Sequence, residues 1–233
     1  MHNPNTTTAL YFIRHAQTPS NLLNIKQGVR IDEYLNTPGV LDVQKNLIPV
    51  IKLLDLDIIF TSHLHRAEET AALLKQSLKN PIPIYHDSRL TERNFGTLSG
   101  LNIAEIKKLI PDFDTREAFQ TYDYTQYDGE SSLQVHRRVL TVILDIISNY
   151  NHKNIGIITH GGVIRSLLFY FPKVIRIFHE PQNILKDIAN CDVYEWEISE
   201  KDIKDIKALI KWKLPLPNWQ REFLKRQLKR AGR

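Results

Sequence analysis

The chain has 233 residues, 42% hydrophobic and 24% charged, with a formal net charge of +5. These proportions suit a folded globular chain with a sizeable core and exclude a collagen-like or low-complexity polymer. The single cysteine, Cys191, excludes an intramolecular disulfide and fits a reducing, cytoplasmic setting, and neither a signal peptide nor an apolar run near the ~18 residues of a spanning helix is visible.

Ala9 to Ile13 is continuously apolar and reads as a buried strand that stops at Arg14-His15. A loop punctuated by Gly28, Pro38 and Gly39 follows. Val40, Val43, Leu47, Val50, Ile51 and Leu54 recur at three- and four-residue steps, which predicts an amphipathic helix over 40–54. "DIIFTS" (57–62) is a short strand, and 64–78 is a helix rich in strong helix formers. "PIPIYHD" (81–87) reads as a strand whose prolines suit an edge. A long helix is expected over 132–150. A strand over 154–162 then runs into a glycine turn, followed by a helix over 163–171. "CDVYEWEI" (191–198) alternates like a half-buried strand, and 200–213 fits either a helix or an edge strand.

Strand-helix-strand alternation predicts an α/β fold: a three-layer α/β/α sandwich with a mostly parallel central sheet in a single domain. Sites in such sheets lie at the carboxyl ends of the strands. Arg14-His15, Thr61-Ser62 and Thr159-His160 all follow strands and can share one rim. There Arg14, His15, Arg66 and His160 would make a receptor for a tetrahedral dianion, with forked guanidinium donors matched to phosphate oxygens. Helices beginning near Thr18, Leu64 and Val163 would add backbone N–H groups. A neutral imidazole held through one nitrogen can attack phosphorus through the other.

The stretches "IRHAQTPSN", "TSHLHRAEETA", "RLTERNFGTLSGLN", "DGESSLQVHRRV" and "ITHGGVIRSLL" resemble, in order, the motifs of the histidine phosphatase superfamily, the phosphoglycerate-mutase-like group. The resemblance covers roughly residues 8–198. It implies that His15 is the nucleophile that becomes phosphorylated. Arg14, Arg66 and His160 would complete the phosphate pocket, and Glu92 would carry the proton. Asn21, Gln27, Gly28 and Gly161 would be substrate-side residues. The implied reaction uses no metal and no cofactor, with a small phosphomonoester and inorganic phosphate as ligands. The catalytic domain would span 1–217. One departure is Ala16, where the family's usual residue is glycine; alanine is tolerated if φ there is negative. Another is His63, which with His65 forms an H-x-H pair whose reading as a zinc site lacks nearby cysteine or acidic partners.

Residues 111–130, expected over the pocket, hold six acids against the single base Arg116. If they face the substrate they disfavour a second anion and suit a monophosphate on a neutral or aromatic alcohol. "ERNFGTLSGLN" is similar to the mutase motif, yet the longer basic insertion of mutases is missing, which favours phosphatase over mutase. A non-catalytic phosphate-binding scaffold is the third alternative, and the retained Glu92 opposes it. From 218 to 233 there are six basic residues and one acid, Glu222, so residues 1–217 are net neutral and show no footprint for nucleic acid. The basic tail, with Trp219, Phe223, Leu224 and Leu228 near helical spacing, suits docking on the body, with an anionic membrane surface or an acidic partner as alternatives.

Overall fold

Strand β1 (Thr8–Arg14) buries both of its faces, as the continuous apolar run of a central strand requires. Leu10 and Phe12 enter one hydrophobic cluster, and Ala9, Tyr11 and Ile13 enter another. The computed structural model describes residues 8–110, 113, 123–151, 153–171, 173–177 and 188–211. The other strands are β2 (Ile58–Thr61), β3 (Ile84–His86), β4 (Asn154–Thr159), β5 (Ile175–Ile177) and β6 (Val193–Ile198). They form one six-stranded sheet in the order β3-β2-β4-β1-β6-β5. β1 to β4 are mutually parallel, and β6 runs antiparallel to both β1 and β5. β3 is an edge strand as expected, with Pro81 and Pro83 just before its first residue.

Helices cover both faces and complete the three layers. One face carries α6 (Ser132–Asn149), α7 (Gly161–Tyr170) and α8 (Glu200–Lys211), whose Val139, Ile143, Ile164, Leu167 and Ile206 pack with Phe12, Ile157 and Trp196. The other carries α2 (Thr37–Asp42), α3 (Ile48–Leu53) and α4 (His65–Ser77). The short helices α1 (Pro19–Leu22) and α5 (Ile103–Leu109) flank the rim. A third, smaller cluster of Phe95, Leu98, Ile106, Phe113 and Tyr124 supports the loop after β3.

Several elements differ from the sequence expectation. The helix expected over 40–54 begins at Thr37 and contains a π turn, Val43–Leu47, between α2 and α3. Pro49 has no N–H to donate, and the wider turn, with Ile48 N bonding Val43 O, accommodates that gap. α7 begins at Gly161 rather than Val163, so the two glycines expected in a turn supply its first N–H groups. The ambiguous stretch after 200 is the helix α8, and β5 was not anticipated from its three residues. The basic tail and most of the acid-rich segment lie outside the described residues. Among the described residues, no helix is long and apolar enough to cross a membrane.

Candidate active site

The carboxyl ends of β1, β2 and β4 meet at a cleft of about 680 Å³. Arg14, His15, Asn21, Gln27, Gly28, Arg66, Glu92 and Gly161 all line it. Five stretches separated by up to about 145 residues of chain therefore converge, because parallel register puts Arg14 beside Thr159 and Thr61 beside Ile158.

His15 is 2% exposed, and its Nδ1 lies 2.7 Å from the carbonyl of Ala16. A carbonyl only accepts, so Nδ1 carries the hydrogen and Nε2 keeps its lone pair. Burial, then the charges of Arg66 and Arg14, hold the imidazole pKa well below its usual value, so His15 is neutral at pH 7. The Ala16 N–H donates to Thr70 Oγ1 at 3.1 Å, and Ala16 is not among the residues with positive φ, so alanine fits where the related motif has glycine. His160 lies against His15 with ring centroids 5.1 Å apart. Burial, followed by Arg66, lowers its pKa as well. Both ring nitrogens of His160 are buried without a hydrogen-bond partner among the described residues; in the neutral ring one of them carries an N–H that a bound anion would accept, although His160 does not itself line the cleft.

Arg66, 1% exposed, donates to the carbonyls of Gly28 at 2.8 Å and Ile31 at 3.0 Å. Gly28 has φ +58°, and a Cβ there would stand 2.8 Å from the Arg93 carbonyl oxygen, so glycine is required. Arg14 donates to the Ile188 carbonyl, while its own carbonyl accepts from Cys191 N. Asn21 caps α1 in a reciprocal pair with Thr18. Gln27 donates to Thr18 Oγ1 at 2.9 Å and to Glu33 at 2.6 Å, which locks the loop it shares with Gly28. His65 is tied to Asp32 through its backbone N–H (2.8 Å) and through Nδ1 (3.0 Å), and stacks on Tyr34. It tethers that loop, and no group of three metal-binding side chains exists among the described residues.

Glu92 is placed by a network that sequence reasoning did not assign. Its Oε2 accepts from Gly162 N at 3.2 Å and its Oε1 from Arg93 N at 2.8 Å. Arg138, from α6, donates to the carbonyls of Arg89, Thr91 and Glu92 and forks onto Glu130. Thr159 Oγ1 holds the Leu90 carbonyl at 2.7 Å. Glu130 and Arg138 stand in "DGESSLQVHRRV", the acid just before the N-cap of α6 and the arginine within the helix, and that motif was the available signal. The described acids of the acid-rich segment, Asp123, Asp128 and Glu130, do not line the cleft. Lys26, Arg165 and Asn190 do, and none was anticipated. Asn190 donates to the His15 carbonyl (2.8 Å) and to Asn21 (3.1 Å), contacts no spacing could reveal. Cys191 is buried and burial pushes its thiol pKa up, which makes it a poor nucleophile.

The arrangement offers a neutral imidazole, a buried and a partly buried guanidinium, a carboxylate and the N-terminus of a ten-residue helix around one space. The sequence profile of the histidine phosphatase superfamily (branch 1) matches residues 10–207. The chain is 31% identical over 198 residues to a probable phosphatase of Schizosaccharomyces pombe, covering 82% of this chain and 87% of that one. It is 29% identical over 209 residues to a 2,3-bisphosphoglycerate-dependent phosphoglycerate mutase of Cytophaga hutchinsonii, covering 88% and 94%. Among solved structures, Bacillus stearothermophilus YhfR superposes with a TM-score of 0.68 at 28% identity, over 83% of this chain and 92% of that one. The chain belongs to branch 1 of the histidine phosphatase superfamily.

Proposed function

We propose that the protein is a metal-independent phosphomonoesterase acting on a small phosphorylated metabolite through a phosphohistidine at His15. The observation that carries this reading is the Nδ1 hydrogen bond from His15 to the Ala16 carbonyl in a neutral, buried ring. It leaves Nε2 as the nucleophilic atom in a cleft lined by Arg14, Arg66 and Glu92.

In the first step Nε2 attacks phosphorus and the bond to the alcohol oxygen breaks. Glu92 delivers a proton to that oxygen. In the second step water attacks the phosphohistidine and loses a proton to Glu92. The N–P bond breaks and phosphate leaves. Arg14 and Arg66 offset the charge of the transferring group and the neutral ring of His160 donates an N–H toward it, so the reaction calls for no metal. Asn21, Gln27, Gly28 and Gly161 border the space for substrate.

A mutase-type transfer is the second reading, favoured by the extra cations Lys26 and Arg165 in the cleft. The test is a panel of phosphomonoesters with EDTA present, comparing wild type with His15→Ala. Phosphate release lost in the variant, with a phosphoryl adduct on His15 that acid removes, is expected. Full activity in His15→Ala overturns the phosphohistidine. Interconversion of phosphoglycerates without phosphate release replaces the phosphatase with the mutase.

A further inference from the structure

The chain returns to the rim at 188–192, just before β6, and there it grips Arg14 and His15 repeatedly. The Ile188 carbonyl accepts from the Arg14 guanidinium. Asn190 donates to the His15 carbonyl at 2.8 Å and to Asn21 Oδ1 at 3.1 Å. The Cys191 N–H donates to the Arg14 carbonyl at 3.1 Å, and the Asp192 carbonyl accepts from the Arg14 N–H at 3.0 Å.

Residues 189–192 form a turn that is closed twice. The Asp192 N–H donates to the Ala189 carbonyl at 3.3 Å, and the Ala189 N–H donates to Asp192 Oδ2 at 2.6 Å. The third residue of the turn, Cys191, has φ +61°, where glycine or asparagine is usual. A residue with a Cβ holds that conformation only where its surroundings impose it. The Asp192 carboxylate is fully buried and is itself fixed. Its Oδ1 accepts from Arg176 of β5, and its Oδ2 also accepts from the Tyr194 hydroxyl at 3.3 Å. Neither Asp192 nor Arg176 lines the cleft, so the pair stands behind the turn. The Nε of Arg14 is buried without a partner among the described residues, and a Cβ on Gly161 would stand 3.5 Å from it. With one terminal nitrogen held by Ile188, the turn decides which donors of Arg14 an anion meets. Asp192 also acts on Arg14 through its charge: burial lowers the Arg14 pKa, and Glu92 followed by Asp192 opposes that.

We infer that Asp192 is a positioning residue for phosphoryl transfer: anchored to Arg176, it closes the turn that makes Ile188 and Asn190 hold Arg14 and His15 where the phosphate is received. The inference rests on the phosphomonoesterase reading. Asp192 touches neither the substrate nor the reacting atoms, and its effect passes through the turn. A carboxylate suits the place because it accepts on both oxygens, whereas an amide accepts on one only.

The experiment uses Asp192→Asn, which keeps the volume. Arg176 claims the remaining oxygen, so the new NH2 group opposes the Ala189 N–H. Measured well below the melting temperature, kcat/KM for p-nitrophenyl phosphate is expected to fall at least about tenfold. Asp202→Asn is the control for stability alone, since it breaks a comparable pair of a buried carboxylate with Lys173 at the start of α8, away from the cleft. Its Tm should fall while kcat/KM stays within about twofold of wild type. In an Asn190→Ala background, where one arm of the turn is already gone, Asp192→Asn should cost only about threefold or less. An unchanged kcat/KM in Asp192→Asn, an equal fall in Asp202→Asn, or the same loss in both backgrounds overturns the positioning role. If wild type hydrolyses no ester, the phosphomonoesterase reading fails, and calorimetric binding of inorganic phosphate decides the role of Asp192 by itself. Binding at least about tenfold weaker in Asp192→Asn upholds it; equal binding, or none to either protein, overturns it. Should Asp192→Asn not fold, Asp192→Ala combined with Arg176→Met leaves no charge unpaired and carries the same comparisons.

Discussion

Substituting Gly162 by alanine should move the carboxylate proposed to carry the proton, that of Glu92, and little else. A Cβ at Gly162 would stand 2.3 Å from Oε1 of Glu92, whereas ordinary Cβ contacts begin near 3.4 Å. The carboxylate must therefore retreat by about 1 Å. It is the free end of a flexible side chain, and the next neighbour, Arg93 Cβ, lies at a comfortable 3.6 Å. Gly162 is not among the glycines with positive φ, so alanine adopts its backbone without strain. Alanine in place of a helical glycine stabilises by up to about 1 kcal/mol. A displacement of that size at a reacting group costs about 10²-fold in rate. The expected result is a Tm equal to or above wild type, with kcat down about 100-fold on glycerol 3-phosphate. On p-nitrophenyl phosphate the phenolate leaves without a proton, so His15 is still phosphorylated while its hydrolysis slows. Stopped-flow should then show a burst of nitrophenolate. An unchanged kcat with retained Tm refutes the assignment of Glu92 as proton carrier, and a collapsed Tm refutes the claim that only the carboxylate moves.

Arg66→Lys should fail although charge is kept. Lysine cannot hold the Gly28 and Ile31 carbonyls and also fork onto phosphate. KM should rise at least about tenfold, and each carbonyl left unpaired costs about 1–3 kcal/mol; a melt and a KM both like wild type would contradict this. Stability should also fall with acid. Burial is the main cause of the lowered pKa of His15, His160 and His136, the last to about 3. Below pH about 6.5 the unfolded chain protonates these rings while the folded chain does not. Each histidine then removes up to about 1.4 kcal/mol per pH unit as pH falls toward its folded value, and none contributes a slope above 6.5. His136→Phe, which retains the packing against Phe169 and Tyr170, should shallow the slope of chemical-denaturation ΔG between pH 6.5 and 5. A slope identical to wild type would show that His136 is protonated in the fold.

The sequence by itself determined the layering and half of the site. The uninterrupted apolar run of β1 could only be a strand buried on both faces, and such a sheet sends its functional residues to one rim. Arg14, His15 and Arg66 were therefore legible, because each ends a strand or begins the element after it, whereas Glu92, in the loop after β3, was reached only through the resemblance of its motif. What the tertiary structure alone decided is how those groups are held and what surrounds them. The grip of Arg138 on the loop carrying Glu92, the hydrogen bond from Gly162 N, and the contact of Asn190 with His15 join residues far apart in the chain. Spacing carries no trace of such contacts, since they depend on where side chains end rather than where they start. Where the acids of 111–130 point could not be read for the same reason: those described, Asp123, Asp128 and Glu130, do not line the cleft, whereas Lys26 and Arg165 do. A sequence lists charges, but only burial and distance decide which of them a ligand meets.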